Sequence, residues 1–214
     1  MECKPWYPAD FNQALLNTFT EEALAELLER PNCAPRFVYG VLMLPTALKY
    51  FIGENPTTDI TKRMTRACVS GYMLHQISPQ SPPVVVQTSN PRDTVQGMLL
   101  LGLDMDQRNL IYDLEGGLMN LVDVRAQIRL KDSSLPCHDI CSDRMIDAGM
   151  FAWYGSREGL IPVKSTAWPL DEFLKEKFYE TLLILNTGIC WTDRGCFCKT
   201  GVAIGLSFSG IIRD

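Results

Sequence analysis

Few basic residues, few histidines and no long apolar run mark this 214-residue chain. Lys and Arg number 20 against 25 Asp and Glu, a formal charge of −5. A nucleic-acid partner selects a basic face, and no basic stripe with interleaved aromatics is present, so no nucleic acid is expected. No apolar stretch reaches the roughly 20 residues a membrane helix needs, so no membrane partner is expected. The opening Met1-Glu2-Cys3-Lys4-Pro5-Trp6 lacks the basic-then-apolar pattern of a secretory leader, and a cytoplasmic location is expected. Gly-x-Ser-x-Gly is missing, which argues against a serine hydrolase. Gly-x-x-x-x-Gly-Lys is missing too, which argues against nucleotide hydrolysis. There is no internal repeat.

Cysteine is plentiful, with eight residues, but without a leader these are expected as free thiols. Cys137-His138-Asp139-Ile140-Cys141 has the look of a ligand pair. Its spacing and the want of a second pair nearby argue against zinc. His75 and His138 are the only histidines, isolated from each other and expected to be structural. No metal and no cofactor are expected.

Hydrophobic residues make up 46 % and charged residues 21 %, the balance of a folded chain with a sizeable core. Residues 1–35 read as a helical arm. Thr20 caps a helix with Glu21 and Glu22 in its first turn, and Leu24, Leu27 and Leu28 share one face. The run 36–39 is a short strand ending at Gly40, followed by a helix over 42–52 with Pro45 in its first turn. A strand follows over 65–77, with Gly71 as a bulge. Val84-Val85-Val86 is a buried strand, and 95–101 is a continuous apolar strand of central character. A short helix over 106–112 leads to Asp113-Leu114-Glu115-Gly116-Gly117. In 121–130 the apolar residues Val122, Val124, Ala126, Ile128 and Leu130 alternate with polar ones, the mark of a half-buried strand. Another strand covers 150–154. A last helix covers 169–185, with Phe173, Lys177, Phe178 and Leu182 inward. Strands follow one another without regular helical crossovers. That predicts an α+β fold around a mainly antiparallel sheet or small barrel with flanking helices. The expected division is an arm over 1–35, a domain over 36–185 and an extension of unknown role over 186–214.

Two places carry chemistry. At Tyr39-Gly40-Val41-Leu42-Met43 a strand turns into a helix, exposing backbone N–H groups that can hold a carboxylate or an oxyanion. At Tyr112-Asp113-Leu114-Glu115-Gly116-Gly117 a carboxylate stands beside two glycines that leave room for a ligand. By pattern alone, a glutamate before Gly-Gly is more often a solvated turn residue than a catalyst, Tyr39 is more often a strand-end core residue, and sheet packing is the simpler reading of Tyr154.

Together these stretches resemble the gamma-glutamylcyclotransferase-like family, including its plant avirulence-induced-gene branch. The family reads Tyr-Gly-(Thr/Ser)-Leu at the first place and Leu-Asp-x-x-Glu-Gly at the second. Gly71-Tyr72, Pro83-Val84-Val85 and Val95-Gln96-Gly97-Met98-Leu99 follow in the expected order, and Trp168-Pro169-Leu170-Asp171-Glu172 resembles fungal members. The resemblance implies the family's small mixed barrel. It implies Glu115 as catalytic acid/base and a substrate loop at Tyr39, Gly40, Val41 and Leu42. It also places Met119, Leu121 and Tyr154 at the substrate. Val41 stands where the family has a hydroxyl. Met119 and Leu121 stand where a Tyr and an Arg are usual, so the cleft is expected to be more apolar. The implied reaction is a cyclisation that releases 5-oxoproline from a small molecule. Two alternatives are a secondary-metabolite cyclase, isomerase or lyase acting on an apolar substrate, and a non-catalytic binding protein.

Overall fold

The structure is a computed structural model that describes residues 1–79, 81–131 and 141–186. Cys137, His138, and the segment from 187 onward lie outside the described residues. Cys3, Cys33 and Cys68 are free thiols.

Chain order runs α1 (Ala9–Leu16), α2 (Glu21–Leu28), β1 (Arg36–Val38), a 3-10 turn (Gly40–Met43), α3 (Pro45–Phe51), β2 (Met64–Ser70), β3 (Tyr72–Gln76), β4 (Pro83–Gln87), β5 (Thr94–Leu100), α4 (Met105–Glu115), β6 (Met119–Lys131), β7 (Cys141–Trp153), β8 (Ile161–Pro162), α5 (Leu170–Phe173) and α6 (Lys177–Asn186). Five strands close a barrel in the order β1-β5-β2-β6-β7, and β4-β3-β8 form a three-stranded sheet beside it. Most barrel pairs are antiparallel; closure comes from β1, which lies antiparallel to β5 and parallel to β7. The expected α+β fold with a small barrel is therefore the fold found.

Apolar patterning explains most of this. In β6, Val124, Ala126, Ile128 and Leu130 are buried while Arg125, Gln127, Arg129 and Lys131 face out. In β5 the run Gly97 to Leu100 is buried on both faces, as befits a strand flanked by β1 and β2. Gly97 is required there: a Cβ would lie 2.6 Å from Cζ of Phe37. Thr20 caps α2 by accepting from the Ala23 N–H at 3.3 Å.

Other boundaries moved. The helix expected from residue 42 starts at Pro45, because the chain first makes the 3-10 turn and Pro45 takes the first helical position. The expected 65–77 strand is two strands. Gly71, at φ +81°, breaks it and sends the chain from the barrel into the second sheet. Helix α1 had no counterpart in the sequence pattern; it buries Phe11, Ala14 and Leu15. The expected 169–185 helix is broken between α5 and α6. Phe173 and Tyr179 are both buried, with ring centroids 5.9 Å apart. Six positions apart, they would be turned about 240° from each other on a continuous helix, so the break lets both rings pack. Lys177, expected inward, is exposed.

One feature of the β6–β7 ribbon locates the site. Over 141–147 of β7 only Ile146 is buried among the described side chains, but 148–152 are buried without interruption. Something must cover the outer face there as well as the inner one. Strand β4 packs against β7, and Tyr112 of α4 touches the Phe151 ring at a 5.8 Å centroid distance.

Candidate active site

The site forms where β1 ends, α4 ends and β6 begins. Tyr39 follows β1 and is 9 % exposed. Its hydroxyl donates to the Phe151 carbonyl of β7 at 2.8 Å and lies 3.2 Å from the Met119 sulfur at the start of β6. Burial first, and then the Glu115 charge, raise its pKa well above the usual phenol value, with a hydrogen bond to the Val85 backbone acting the other way. Tyr39 therefore stays a neutral phenol, joining the barrel mouth to the small sheet.

Gly40 comes next, at φ +72°, a conformation that glycine adopts without strain. A Cβ there would meet Pro83 Cγ at 3.2 Å and Trp168 Cε3 at 3.8 Å. The Gly40–Met43 turn is thus held from outside by β4 and by the lead-in to α5. Its first N–H groups have no intrahelical acceptor, as at any helix start. Val41 is half-buried and Leu42 is 2 % exposed, so Leu42 offers its backbone rather than its side chain.

Glu115 is the last residue of α4, one turn beyond the short helix expected. That helix is set by polar devices. Asp104 and Gln107 form a capping box. The Gln107 amide donates to Glu54 at 2.9 Å, and Glu54 pairs with Arg63 at 2.5 Å. Burial pushes the Glu54 pKa up, but the Arg63 hydrogen bond and charge, with Gln107 and Thr58, outweigh it and leave it lowered. Only Ile111 of α4 is fully buried. Gly116 packs against Tyr112, where a Cβ would lie 2.7 Å from the carbonyl oxygen, whereas Gly117 has open space beside it.

The Glu115 side chain is mostly surrounded by protein but keeps partial access to solvent. Burial alone pushes its pKa up to about 7. No ion pair or side-chain hydrogen bond to it occurs among the described residues. Its charge is felt at Tyr39, which puts the two side chains at one site. A carboxyl of this kind can exchange a proton near neutral pH.

The structure thus gathers Tyr39, Gly40, Met119 and Glu115. Leu121, 40 % exposed, continues the outer face of β6 away from Met119. Tyr154 is 62 % exposed beyond the end of β7 and makes no hydrogen bond or ring contact with Tyr39, Met119 or Glu115 among the described residues. Sequence reasoning did not include Pro83, Phe151 or Trp168 in the site. Their signal was weak, since a proline opening a strand and a tryptophan before a helix carry no chemistry of their own. Surface hollows of about 350 Å³ beside Met1, Arg66 and Gln127 and about 580 Å³ beside Ala9, Gln13 and Lys62 are bordered by none of Tyr39, Gly40, Met119 and Glu115.

The sequence profile of the family described as gamma-glutamyl cyclotransferase, AIG2-like, matches residues 36–170. The chain belongs to this family. The matched stretch includes the Gly40 turn, α4 and the β6–β7 ribbon, and so the whole of the gathered site. Among solved structures, a protein from Arabidopsis thaliana is 18 % identical, covers 80 % of this chain and 97 % of its own, and superposes with a TM-score of 0.47. An AIG2-like protein from Mus musculus is 13 % identical over 65 % of this chain and 90 % of its own, with a TM-score of 0.41. A yeast gamma-glutamyl cyclotransferase specific to glutathione is 12 % identical over 63 % and 74 %, with a TM-score of 0.39. A comparison with curated proteins gives no match. Among the described residues no helix is long and apolar enough to cross a membrane.

Proposed function

We propose that this member of the cyclotransferase family cyclises a gamma-glutamyl amide to 5-oxoproline and a free amine, with Glu115 as general acid/base. The observation that carries the reading is the Glu115 carboxyl: largely desolvated, without an ion pair among the described residues, with a pKa pushed up to about 7, and near enough to Tyr39 for its charge to be felt there. A desolvated carboxyl without a partner lowers stability, and a purely structural site has no use for one.

In the proposed reaction the substrate's α-amine nitrogen attacks its own γ-carbonyl carbon, forming the ring C–N bond. The Glu115 carboxylate takes the proton released by that nitrogen. In this reading, N–H groups at the start of the Gly40–Met43 turn donate to the developing oxyanion. Collapse of the intermediate breaks the bond to the leaving nitrogen, and Glu115 returns the proton to it. Proton balance is closed by one carboxyl, so the scheme needs no metal and no organic cofactor.

Incubation with gamma-glutamyl amino acids and amides, with 5-oxoproline measured chromatographically, tests this. Formation of 5-oxoproline that is lost in Glu115→Gln is expected. Full turnover in that variant would remove Glu115 from the role.

A second reading keeps the pocket and Glu115 but changes the substrate to a more apolar metabolite. It rests on the apolar lining: half-buried Val41, Met119 and the 40 % exposed Leu121. No 5-oxoproline from any gamma-glutamyl compound, together with Glu115-dependent turnover of an apolar ester or enol, would favour it.

A further inference from the structure

The turn that begins at Gly40 has little of its own to hold it. It is four residues long, Tyr39 before it gives no side-chain cap, and the Leu44 N–H closes it on the Val41 carbonyl at 3.1 Å. Gly40 has no side chain to anchor, so its place is set by what lies against it. Two rings do. Pro83 Cγ and Cδ stand 3.2 and 3.4 Å from where a Cβ would sit, and Trp168 Cε3 stands at 3.8 Å. Pro83 is fixed by the ladder of β3 and β4, opposite Gln76. Trp168 belongs to no helix or strand, so its support has to come from elsewhere.

That support comes from both sides of it in the chain. Before it, Gln96 of β5 bonds Thr166 twice: the backbone N–H donates to the Thr166 carbonyl at 2.7 Å and the side-chain amide to the hydroxyl at 3.1 Å. After it stands α5, four residues that Pro169 opens without a side-chain cap. Phe173 of α5 packs on the Trp168 ring at a 5.1 Å centroid distance. Asp171 of α5 meets the N-terminal arm. Its Oδ1 accepts from Trp6 Nε1 at 2.7 Å, and its Oδ2 pairs with Lys4 Nζ. Both carboxylate oxygens are thus bonded by residues of the arm. This piece of the arm is itself tied down. The Asn12 amide of α1 donates to the Lys4 carbonyl at 2.9 Å, and the Tyr7 ring lies 5.4 Å from that of Phe11, which is fully buried. Contacts therefore run from α1 through Lys4, Asp171 and α5 to Trp168 and the Gly40 turn.

We infer that Trp168 is a positioning residue for the Gly40 turn, and that the clamp of Lys4 and Trp6 on Asp171 sets where Trp168 stands. The N-terminal arm then serves the site as well as the core. The role rests on the cyclotransferase reading above, in which N–H groups of the turn donate to an oxyanion. Such donors act only while they stay where the charge develops, and a displacement of about 1 Å costs up to about 100-fold in rate. An ion pair as exposed as Lys4–Asp171 adds little to overall stability, but a carboxylate bonded at both oxygens has its direction fixed. Loss of the clamp is therefore expected to loosen the turn more than it lowers the melting midpoint.

Two measurements on the full chain test it. Amide hydrogen exchange, without substrate, reads the turn directly. Trp168→Phe keeps a ring for Phe173 but withdraws the part that touches Gly40. Exchange at the Leu44 N–H is expected to quicken about 10-fold in that variant and about 3-fold or more in Asp171→Ala, while Ile128 of β6 exchanges as in the wild type. Asp171→Lys is expected to quicken Leu44 as well, and adding Lys4→Asp, which restores the pair with its charges exchanged, is expected to recover most of that change. Leu44 exchange unchanged in Trp168→Phe and Asp171→Ala overturns the proposal. So does equal quickening at Leu44 and Ile128, the mark of a general loss of stability, and failure of the exchanged pair to recover Leu44 overturns the clamp. The second measurement is turnover of gamma-glutamyl amides. In Trp168→Phe kcat is expected to fall about 10-fold with KM within about 2-fold of the wild type, and the pH midpoint of about 7 set by Glu115 is expected to stay. Quickened Leu44 exchange with a wild-type kcat overturns the positioning role. Quickening confined to the turn, with no gamma-glutamyl amide turned over by the wild type, supports the clamp and overturns the gamma-glutamyl reading instead.

Discussion

Glu115 ties function to stability through a single proton. An ordinary glutamate has a pKa near 4.5, and burial brings this one to about 7. In the proposed reaction the active form of Glu115 is the carboxylate, so kcat/KM is expected to rise with pH and level off above about 7. A pH–rate profile with its acid limb near 4.5 would count against the enclosed carboxyl. The stability effect has the opposite sign. Between pH 4.5 and 7 the folded state holds a proton that the unfolded state has released, so stability falls as pH rises through that window and levels off above it. Glu115→Gln removes the penalty. The variant is expected to lose on the order of 10²–10⁴-fold in kcat. It is also expected to be more stable than wild type at about pH 8 by up to about 3 kcal/mol, with no gain at about pH 4. Urea denaturation at the two pH values reads the difference. Gly40 is a second residue with a sharp expectation. It sits at φ +72°, and a Cβ added to it would lie 3.2 Å from Pro83 Cγ. Gly40→Ala is expected to cost about 1–3 kcal/mol and to lower kcat/KM, since the turn shifts away from Pro83 and Trp168.

Among the elements α4 matters most, because Glu115 is only as well placed as its helix. With Ile111 as the one fully buried residue of α4, apolar packing does little to hold it. Alignment depends on the capping box at Asp104 and on the Gln107–Glu54–Arg63 chain of polar contacts. Glu54→Ala is therefore expected to destabilise the protein by about 2–3 kcal/mol, since it leaves Arg63 unpaired in a largely buried position. It is also expected to reduce turnover although Glu54 is remote from the Glu115 carboxyl. Thermal melting with 5-oxoproline assays on the same preparation reads both. A loss of stability with full turnover would show that α4 is held by its packing on Phe151 alone.

At the scale of the whole molecule, the N-terminal helices and the barrel share one core. Phe11, Leu15 and Leu24 belong to the same buried cluster as Phe37, Met98 and Ile128. One cooperative unfolding transition is expected rather than two. Phe11→Ala, at 0 % exposure, is expected to cost about 3–5 kcal/mol and to lower that single midpoint. A separate low-temperature transition in scanning calorimetry would instead mark residues 1–35 as an independent arm.

What was legible in the sequence was what is local. Alternation in 121–130 fixed the inward face of β6, the continuous apolar run near 95–101 marked a central strand, and Thr20 marked a helix start. Tyr39-Gly40 and Glu115-Gly116 stood out through the family resemblance, since by pattern alone they read as turn and packing residues. Tertiary structure decided the rest. It was packing of aromatic rings that broke the last helix, and a positive φ at Gly71 that turned one strand into two. It was burial at the end of α4 in the folded protein that raised the Glu115 pKa. Desolvation depends on what surrounds a group from every side. A sequence specifies neighbours along the chain, and only the folded barrel brings Phe151 and Met119 to Tyr39 and sets the Glu115 charge near that tyrosine.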